Sequence, residues 1–187
     1  VAMKFDPKGE RQWVHHLGAL GISPGIVTKA WDAAITPAGE LVIVGLINGR
    51  GVFHGEALSS TFTAFVTALS SDGHERWLRL IGGTDGATEA MGVEVLASGT
   101  IAVAGVTSAS TLNGQASLGS SDAFVAWFSA EGEPIKLVRY GGADEEYPSA
   151  FGSRGDELYM ARVAAPSVVT DAPRVEMLHL DADGTVK

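Results

Sequence analysis

Two short acidic loops carry the side chains with the clearest capacity for chemistry. The sequence reads GGTDGATE at residues 82–89 and GGADEEY at residues 141–147. Carboxylates on a short glycine-rich loop can supply the several oxygen ligands that Ca²⁺ prefers. The candidate ligands form two aligned pairs, Asp85 with Asp144 and Glu89 with Glu146. The loops lack an Asp-x-Asp-x-Asp spacing, so solvated turn carboxylates are the favoured alternative, and we expect no cofactor other than this calcium.

A second pattern joins an acidic turn to a tryptophan. It reads DPKGERQW at residues 6–13 and SSDGHERW at residues 70–77. SSDGHERW has the letters of an Asp box, S-x-D-x-G-x-x-W, at a different spacing, and DPKGERQW lacks the serine. Asp boxes are themselves usually structural turns. We therefore expect a hairpin turn with glycine at positive φ. Trp13 and Trp77 are expected to pack between neighbouring structural units.

The histidines and the known catalytic motifs give no further site. His15 and His16 are adjacent, so on a strand they point to opposite faces. His54 and Glu56 are two residues apart and could face one way, but a third metal ligand is missing. The chain contains no P-loop or H-E-x-x-H motif. The sequence therefore predicts no catalytic residue.

The turn motif recurs through the whole chain at intervals of roughly 50 to 65 residues. Its four copies carry the turn glycines Gly9, Gly73, Gly132 and Gly184, which are preceded four residues earlier by Phe5, Leu69, Phe128 and Leu180. A second motif lies between the copies, since residues 31–47 align without gaps with residues 91–107. A weaker third copy at 148–164 has Arg162 where the others have Gly45 and Gly105. These two motifs define the repeating unit.

Each repeat is composed of strand-forming segments. AFVTAL and AFVAWF are short and rich in β-branched and aromatic residues. LVIVGLI and TIAVAGV are apolar throughout, which is typical of strands buried on both faces. Turn clusters such as TPAGE and SAEGE separate them. One unit is therefore two hairpins, and no convincing helix is predicted.

Four short antiparallel strands per repeat favour a β-propeller blade over a β-solenoid. We expect an all-β, single propeller region over residues 1–187 with about three and a half four-stranded blades, where closed rings have about four to eight. Its parts are an outer hairpin at 1–18, blades at 29–82 and 88–141, and an incomplete blade at 146–187. The chain is expected to be part of a larger propeller or to pair with a second copy. It opens on VAMKF, which is typical of the middle of a strand, so we expect either that a leader was removed or that the chain is a piece of something longer.

Composition excludes several classes of function. The formal net charge is −9, whereas a nucleic-acid-binding protein normally shows a basic stripe. The longest apolar run, residues 41–47, is far below the roughly 20 residues of a membrane span. There is no cysteine, so disulfides and cysteine-based metal sites are absent. The longest loops, 47–63 and 107–122, are either ligand-binding segments or flexible tips.

Nearly the whole chain, and residues 64–142 most clearly, resembles the bacterial β-propeller repeat family often described as the seven-bladed propeller repeat. The similarity rests on DAFV, on the turn SSDGHERW, on the loop GGTDG and on the strand GTIAVAG. Departures from the pattern include Lys136 at the third tryptophan position and LGALGISPG in place of the first G-G-x-x-D loop. Families of this kind are mostly large exported or surface proteins without a shared enzymatic activity, although fold alone does not fix function.

The resemblance implies a non-enzymatic scaffold or binding module of an exported or surface-exposed bacterial protein. Its expected partners are a protein or glycan ligand and further blades of the same chain or a second copy, without nucleic acid and without a transmembrane segment. ALSSDGHERW also resembles the repeats of quinoprotein-type propellers. The alternative function is therefore part of a propeller enzyme, either quinone-dependent or carbohydrate-active.

Overall fold

The chain folds, in a computed structural model, into short antiparallel β-sheets. The structure describes residues 1–17, 26–49, 51–58, 62–166 and 172–187, and within these ranges it contains strands and turns but no helix. This confirms the prediction of an all-β chain without significant helix. The strands are β1 (Ala2–Phe5), β2 (Arg11–His15), β3 (Val27–Ile35), β4 (Leu41–Asn48), β5 (Gly51–Phe53), β6 (Glu56–Leu58), β7 (Phe62–Leu69), β8 (Glu75–Ile81), β9 (Thr88–Val95), β10 (Ile101–Thr107), β11 (Thr111–Leu112), β12 (Gln115–Ala116), β13 (Asp122–Phe128), β14 (Pro134–Tyr140), β15 (Glu145–Arg154), β16 (Glu157–Ala165) and β17 (Arg174–Leu180).

Four sheets follow one another along the chain. The first sheet is β1-β2, the second is β3-β4-β7-β8, the third is β9-β10-β13-β14 and the fourth is β15-β16-β17. Neighbouring strands are antiparallel throughout. In the second and third sheets, the small hairpins β5-β6 and β11-β12 interrupt the connection between the two central strands. Such four-stranded units, repeated in order, are consistent with a β-propeller-like segment.

The apolar central strands are buried because they pack against a sheet on either side. Along β4, Val42 and Val44 point towards the third sheet, whereas Ile43 and Ile47 point towards the first. Successive side chains of a strand point to opposite faces, so a strand covered on both sides must be apolar at every position. The continuous apolar run at 41–47 is explained by this double burial rather than by a single core.

Three apolar layers join the four sheets in sequence. The layer between the first and second sheets contains Trp13, Ile43, Phe65 and Leu69. The layer between the second and third contains Val44, Val66, Trp77, Val103 and Phe124. The layer between the third and fourth contains Val125, Trp127, Leu158, Met160 and Leu180. Each sheet is therefore stabilised mainly by its neighbours in the chain.

The glycine of the second motif makes room for an aromatic ring. Gly105 pairs with Phe124 across the strands, and a side chain at Gly105 would collide with that ring and with the backbone of Glu89. Gly45 and Phe65 repeat this arrangement in the second sheet.

The fourth sheet replaces this packing with an ion pair. Arg162 and Glu176 are paired across the strands in place of glycine and phenylalanine, and Arg162 Nη2 lies 2.6 Å from Glu176 Oε2. Arg162, which marks a diverged repeat in the sequence, therefore has a cross-strand partner that also differs from the phenylalanine of the other two sheets.

Replacing Phe124 with alanine tests the layer between the second and third sheets. Phe124 is fully buried, so we expect Phe124→Ala to lower the free energy of unfolding by about 3–5 kcal/mol, measured by chemical denaturation. Ile135 is 57% exposed, and Ile135→Ala is the control, with an expected change within about 0.5 kcal/mol. Equal effects at the two positions would contradict the layered packing.

Candidate functional site

The tryptophan of each turn motif packs against the turn glycine of the following sheet. Trp77 extends from β8, and its Nε1 donates a hydrogen bond to the Ala130 carbonyl at 3.0 Å. A Cβ atom at Gly132 would lie closer than 3.0 Å to the Trp77 ring, so the indole occupies the space of the missing side chain. Trp77 is buried. The contact joins the outer strand of one sheet to the outer turn of the next.

Trp13 makes the same contact one sheet earlier. Its Nε1 donates to the Ser71 carbonyl at 3.0 Å, and its ring covers Gly73. The nearby Lys4 ammonium donates to the same carbonyl at 2.9 Å. Trp13 and Trp77 therefore pack between neighbouring sheets, and in both cases the indole lies over a turn glycine.

The third joint keeps this geometry with different residues. Lys136 stands at the tryptophan position, and its Nζ donates to the Ala182 carbonyl at 2.9 Å while lying 4.3 Å from the Trp127 ring centroid. Burial lowers the pKa of Lys136, and the charges of Asp183 and Asp181 partly oppose this effect.

Two aromatic side chains complete the third joint. Trp127 fills the space over Gly184, and the Tyr140 hydroxyl donates to the Gly184 carbonyl at 2.6 Å. Burial, followed by the charge of Asp181, raises the pKa of Tyr140 well above its ordinary value, so the phenol stays protonated and remains a donor.

The four turn glycines share one backbone conformation. Their φ angles are +82° at Gly9, +88° at Gly73, +80° at Gly132 and +72° at Gly184. Each glycine amide donates to the carbonyl of the residue three positions earlier, at 2.9 Å in every copy. That residue is aspartate or serine, and its side chain accepts the amide that follows the glycine. The four repeats therefore share a hydrogen-bonded turn in which a glycine, without a side chain, faces outwards.

The aspartates of the two acidic loops are engaged by neighbouring segments. The Asp85 carboxylate accepts the Ser110 amide at 3.0 Å, and hydrogen bonds from the Ser110 side chain and backbone lower the pKa of Asp85. The Asp144 carboxylate accepts a hydrogen bond from Arg174 Nη2 at 3.2 Å. Asp85 thereby ties its loop to the hairpin that follows β10, while Asp144 ties the equivalent loop to β17.

Glu146 is buried, and its carboxylate accepts the Gly142 amide at 3.1 Å. Burial is the main cause that raises the pKa of Glu146. In the strand register Glu146 lies opposite Ala164, which is the position of Thr88 opposite Thr107 in the third sheet. The alignment of Glu89 with Glu146 is therefore wrong by one residue, and a one-residue shift in a strand places the side chain on the other face.

The four candidate calcium ligands lie as two pairs on separate parts of the fold. Asp85 and Glu89 belong to the loop and strand that begin the third sheet, whereas Asp144 and Glu146 belong to those that begin the fourth. Across the described ranges, no group of three or more His, Asp or Glu side chains is arranged to hold a metal ion.

A buried ion pair that the sequence interpretation missed clamps the hairpin β11-β12. Arg139 and Asp122 have 1% and 0% side-chain exposure, and Arg139 Nη2 lies 2.6 Å from Asp122 Oδ2. The guanidinium also donates to the carbonyls of Ala109 and Gln115, at 3.1 and 3.2 Å. Gln115 returns a contact by accepting the Arg139 amide at 3.2 Å. The clamp ties the segment before β11 and the first residue of β12 to the third sheet.

The hairpins themselves are anchored by apolar side chains and expose polar ones. Phe53 and Leu58 anchor β5-β6, and Leu112 anchors β11-β12. Thr111 and Asn113 are exposed on the second hairpin. Residues 50 and 59–61 of the first predicted long loop lie outside the described residues. The two hairpins are therefore candidate binding segments among the residues described.

His54 lies beside a carboxylate that is distant in the sequence. Its Nδ1 lies 3.2 Å from Glu75 Oε1, and His15 Nε2 lies 3.9 Å from Glu75 Oε2. Glu56, which the spacing would allow to face the same way as His54, is exposed. The cluster brings together β2, the turn of the hairpin β5-β6 and β8, which sequence spacing could not reveal because the three residues are far apart along the chain.

Two searches for relatives of the chain found none. No protein-family model matches the chain, and a search of the curated proteins finds no match. The described part of the chain forms no helix long and apolar enough to cross a membrane.

A glycine-to-alanine series tests the joints. Gly9→Ala introduces only the strain of a left-handed residue, about 1–2 kcal/mol, because nothing lies within 4 Å of its Cβ position. Gly73→Ala and Gly132→Ala carry the same strain and also collide with an indole. We expect both to lower the free energy of unfolding clearly more than Gly9→Ala in urea titrations. Equal losses at the three positions would show that only the turn conformation matters.

The buried carboxyl of Glu146 gives a pH dependence with a defined sign. Its pKa is raised in the folded chain, so its favourable contribution is full below the ordinary value of 4.5 and is lost as the pH rises through the raised value. We expect Glu146→Gln to gain stability relative to the original chain on going from acidic to neutral pH. Exposed Glu56→Gln is the control, and unfolding at both pH values is the measurement. A difference that is independent of pH would contradict this reading of Glu146.

Proposed function

We propose that the chain is a non-enzymatic, propeller-type scaffold or binding module of an exported or surface-exposed bacterial protein. The partners proposed for it are a protein or glycan ligand, and further blades of the same chain or a second copy. Its resemblance to the bacterial propeller repeats supports this proposal.

The use of the repeated residues supports a scaffold. Three of the four turn glycines, Gly73, Gly132 and Gly184, receive side chains of the preceding sheet. Trp13 and Trp77 also donate to backbone carbonyls. Asp85 and Asp144 hold loops through hydrogen bonds. These residues thus have structural partners within the chain, which favours a role in assembly over a role in chemistry.

The observation that carries the binding role is the clamped hairpin β11-β12. A buried ion pair is costly to desolvate, and here Arg139 and Asp122 are used to immobilise a surface hairpin rather than to fill the core. In the second sheet, Thr63 and Leu80 occupy the matching positions, so the fold itself does not require the ion pair. A loop that is held rigid while Thr111 and Asn113 face solvent is suited to recognition.

Binding by this hairpin is tested with the labelled full chain on a printed glycan array and on an array of exported bacterial proteins. Ala116 is exposed on the hairpin, and we expect Ala116→Arg to weaken saturable binding by more than about tenfold, because the long cation obstructs the surface. Ala97 is exposed at the opposite end of the strands, and Ala97→Arg is the matched control.

Two results would contradict the proposal. One is the absence of saturable binding on both arrays. The other is conversion of a bound glycan, or tight binding of pyrroloquinoline quinone with alcohol oxidation, because either would indicate an enzyme.

A further inference from the structure

The first and the fourth sheets each have one apolar face without a neighbouring sheet in the described part of the chain. On the first sheet, Met3, Phe5 and Val14 are 50%, 55% and 41% exposed. On the fourth sheet, Val175 and Met177 are 71% and 68% exposed. Apolar side chains grouped on one face of a soluble protein usually mark a surface that meets another molecule.

The uncovered face of the first sheet corresponds to the face that, in the later sheets, packs against the preceding sheet. Phe5 repeats the position of Leu69 ahead of the turn glycine. Leu69 is fully buried in the layer between the second sheet and the first. Phe5 therefore lies where a preceding sheet would cover it.

The uncovered face of the fourth sheet corresponds to the face that, in the earlier sheets, packs against the following sheet. Counted back from the turn glycine, Met177 repeats the position of Val125. Val125 is fully buried in the layer between the third sheet and the fourth. Met177 therefore lies where a following sheet would cover it.

We propose that two copies of the chain join head to tail, with the fourth sheet of one copy packed against the first sheet of the other. In each of the three apolar layers of the chain, the face that one sheet turns towards its successor packs against the face that the next sheet turns towards its predecessor. The uncovered faces of the fourth and first sheets are of these two types, so they can pack against each other in the same way. The contact is heterologous and does not require a two-fold axis. It deepens the partner part of the proposed function, but does not depend on the ligand.

The turn of the first sheet provides a second, independent feature of the same surface. At Gly73 and Gly132 the space of a Cβ atom is filled by an indole of the preceding sheet, whereas nothing lies within 4 Å of that space at Gly9. Pro7 precedes Gly9 by two residues, as Ser71 and Ala130 precede their glycines, so its carbonyl is placed where the other two accept their hydrogen bonds. The first sheet thus offers both an apolar face and an open glycine turn.

The uncovered apolar face of the fourth sheet extends from the edge strand β17 onto β16 and β15. Val175 is paired with Val163 across the strands, and Met177 with Ala161. Tyr147, which is opposite Val163 on β15, is 40% exposed. Aliphatic and aromatic side chains therefore continue across all three strands of the fourth sheet.

The test uses sedimentation velocity of the full chain, without glycan or protein ligand, over a range of concentrations. We expect the original chain to self-associate. Phe5→Glu and Met177→Glu each place a charge in the apolar contact, so each is expected to weaken self-association by more than about tenfold. Met3→Glu and Val175→Glu repeat the test on the same two faces, and exposed Ile135→Glu is the control that keeps self-association.

Mixing the two variants distinguishes head-to-tail contact from other modes. Phe5→Glu retains an intact fourth sheet and Met177→Glu an intact first sheet, so an equimolar mixture should form a one-to-one dimer and nothing larger. A monomeric original chain overturns the proposal, as does a mixture that stays monomeric or an association that only one face's variants reduce. Because no ligand is present, these outcomes leave the test of the binding hairpin independent.

Discussion

The contact between an indole and a glycine turn is the constraint on which the arrangement of the sheets depends. Trp77 reaches across to Gly132 because the turn has no side chain there, and its N–H satisfies a backbone carbonyl of that turn. The apolar layers are non-directional and would permit sheets to slide, whereas a ring seated on one glycine with one hydrogen bond fixes their relative position. The same joint at Trp13 and Gly73 gives the chain its repeat.

Diverged repeats retain the joints by changing their chemistry. Lys136 replaces a tryptophan yet still donates to the turn carbonyl, and Trp127 with Tyr140 supplies the aromatic surface over Gly184. Arg162 and Glu176 likewise replace a glycine and a phenylalanine that face each other across the strands. In both cases a residue that differs from its counterparts contacts a neighbour that differs as well. The repeats therefore share the geometry between strands and between sheets rather than the identity of the residues.

The parts of the fold that depend on local sequence were predictable, and the parts that depend on register were not. Turn glycines such as Gly73 and apolar strands such as 41–47 have signatures within a few residues, and the all-β prediction rested on these. The pairing of Glu89 with Glu146 was wrong because a one-residue deletion in the loop shifts the strand, and only the ladder opposite Ala164 reveals it. Strand pairing is a long-range property that spacing alone does not encode.

The candidate binding surface was only partly predictable for the same reason. The long loop at 107–122 was recognisable from its composition, but the clamp on it joins Asp122 to Arg139 and to the carbonyl of Ala109, which converge only in the folded sheet. His54 similarly lies beside Glu75 rather than beside its sequence neighbour Glu56. The sequence shows which side chains could bind or react, but only the folded arrangement of the strands shows which of these side chains lie next to each other.

A double-mutant cycle between Trp77 and Gly132 tests the central constraint most directly. The free energies of unfolding of the original chain, Trp77→Ala, Gly132→Ala and the double variant give the coupling between ring and turn. If the indole occupies the glycine surface, Gly132→Ala should cost clearly less in the Trp77→Ala background, with a coupling above about 0.5 kcal/mol. An unchanged cost of Gly132→Ala in that background would contradict the account, because the two residues would then act independently.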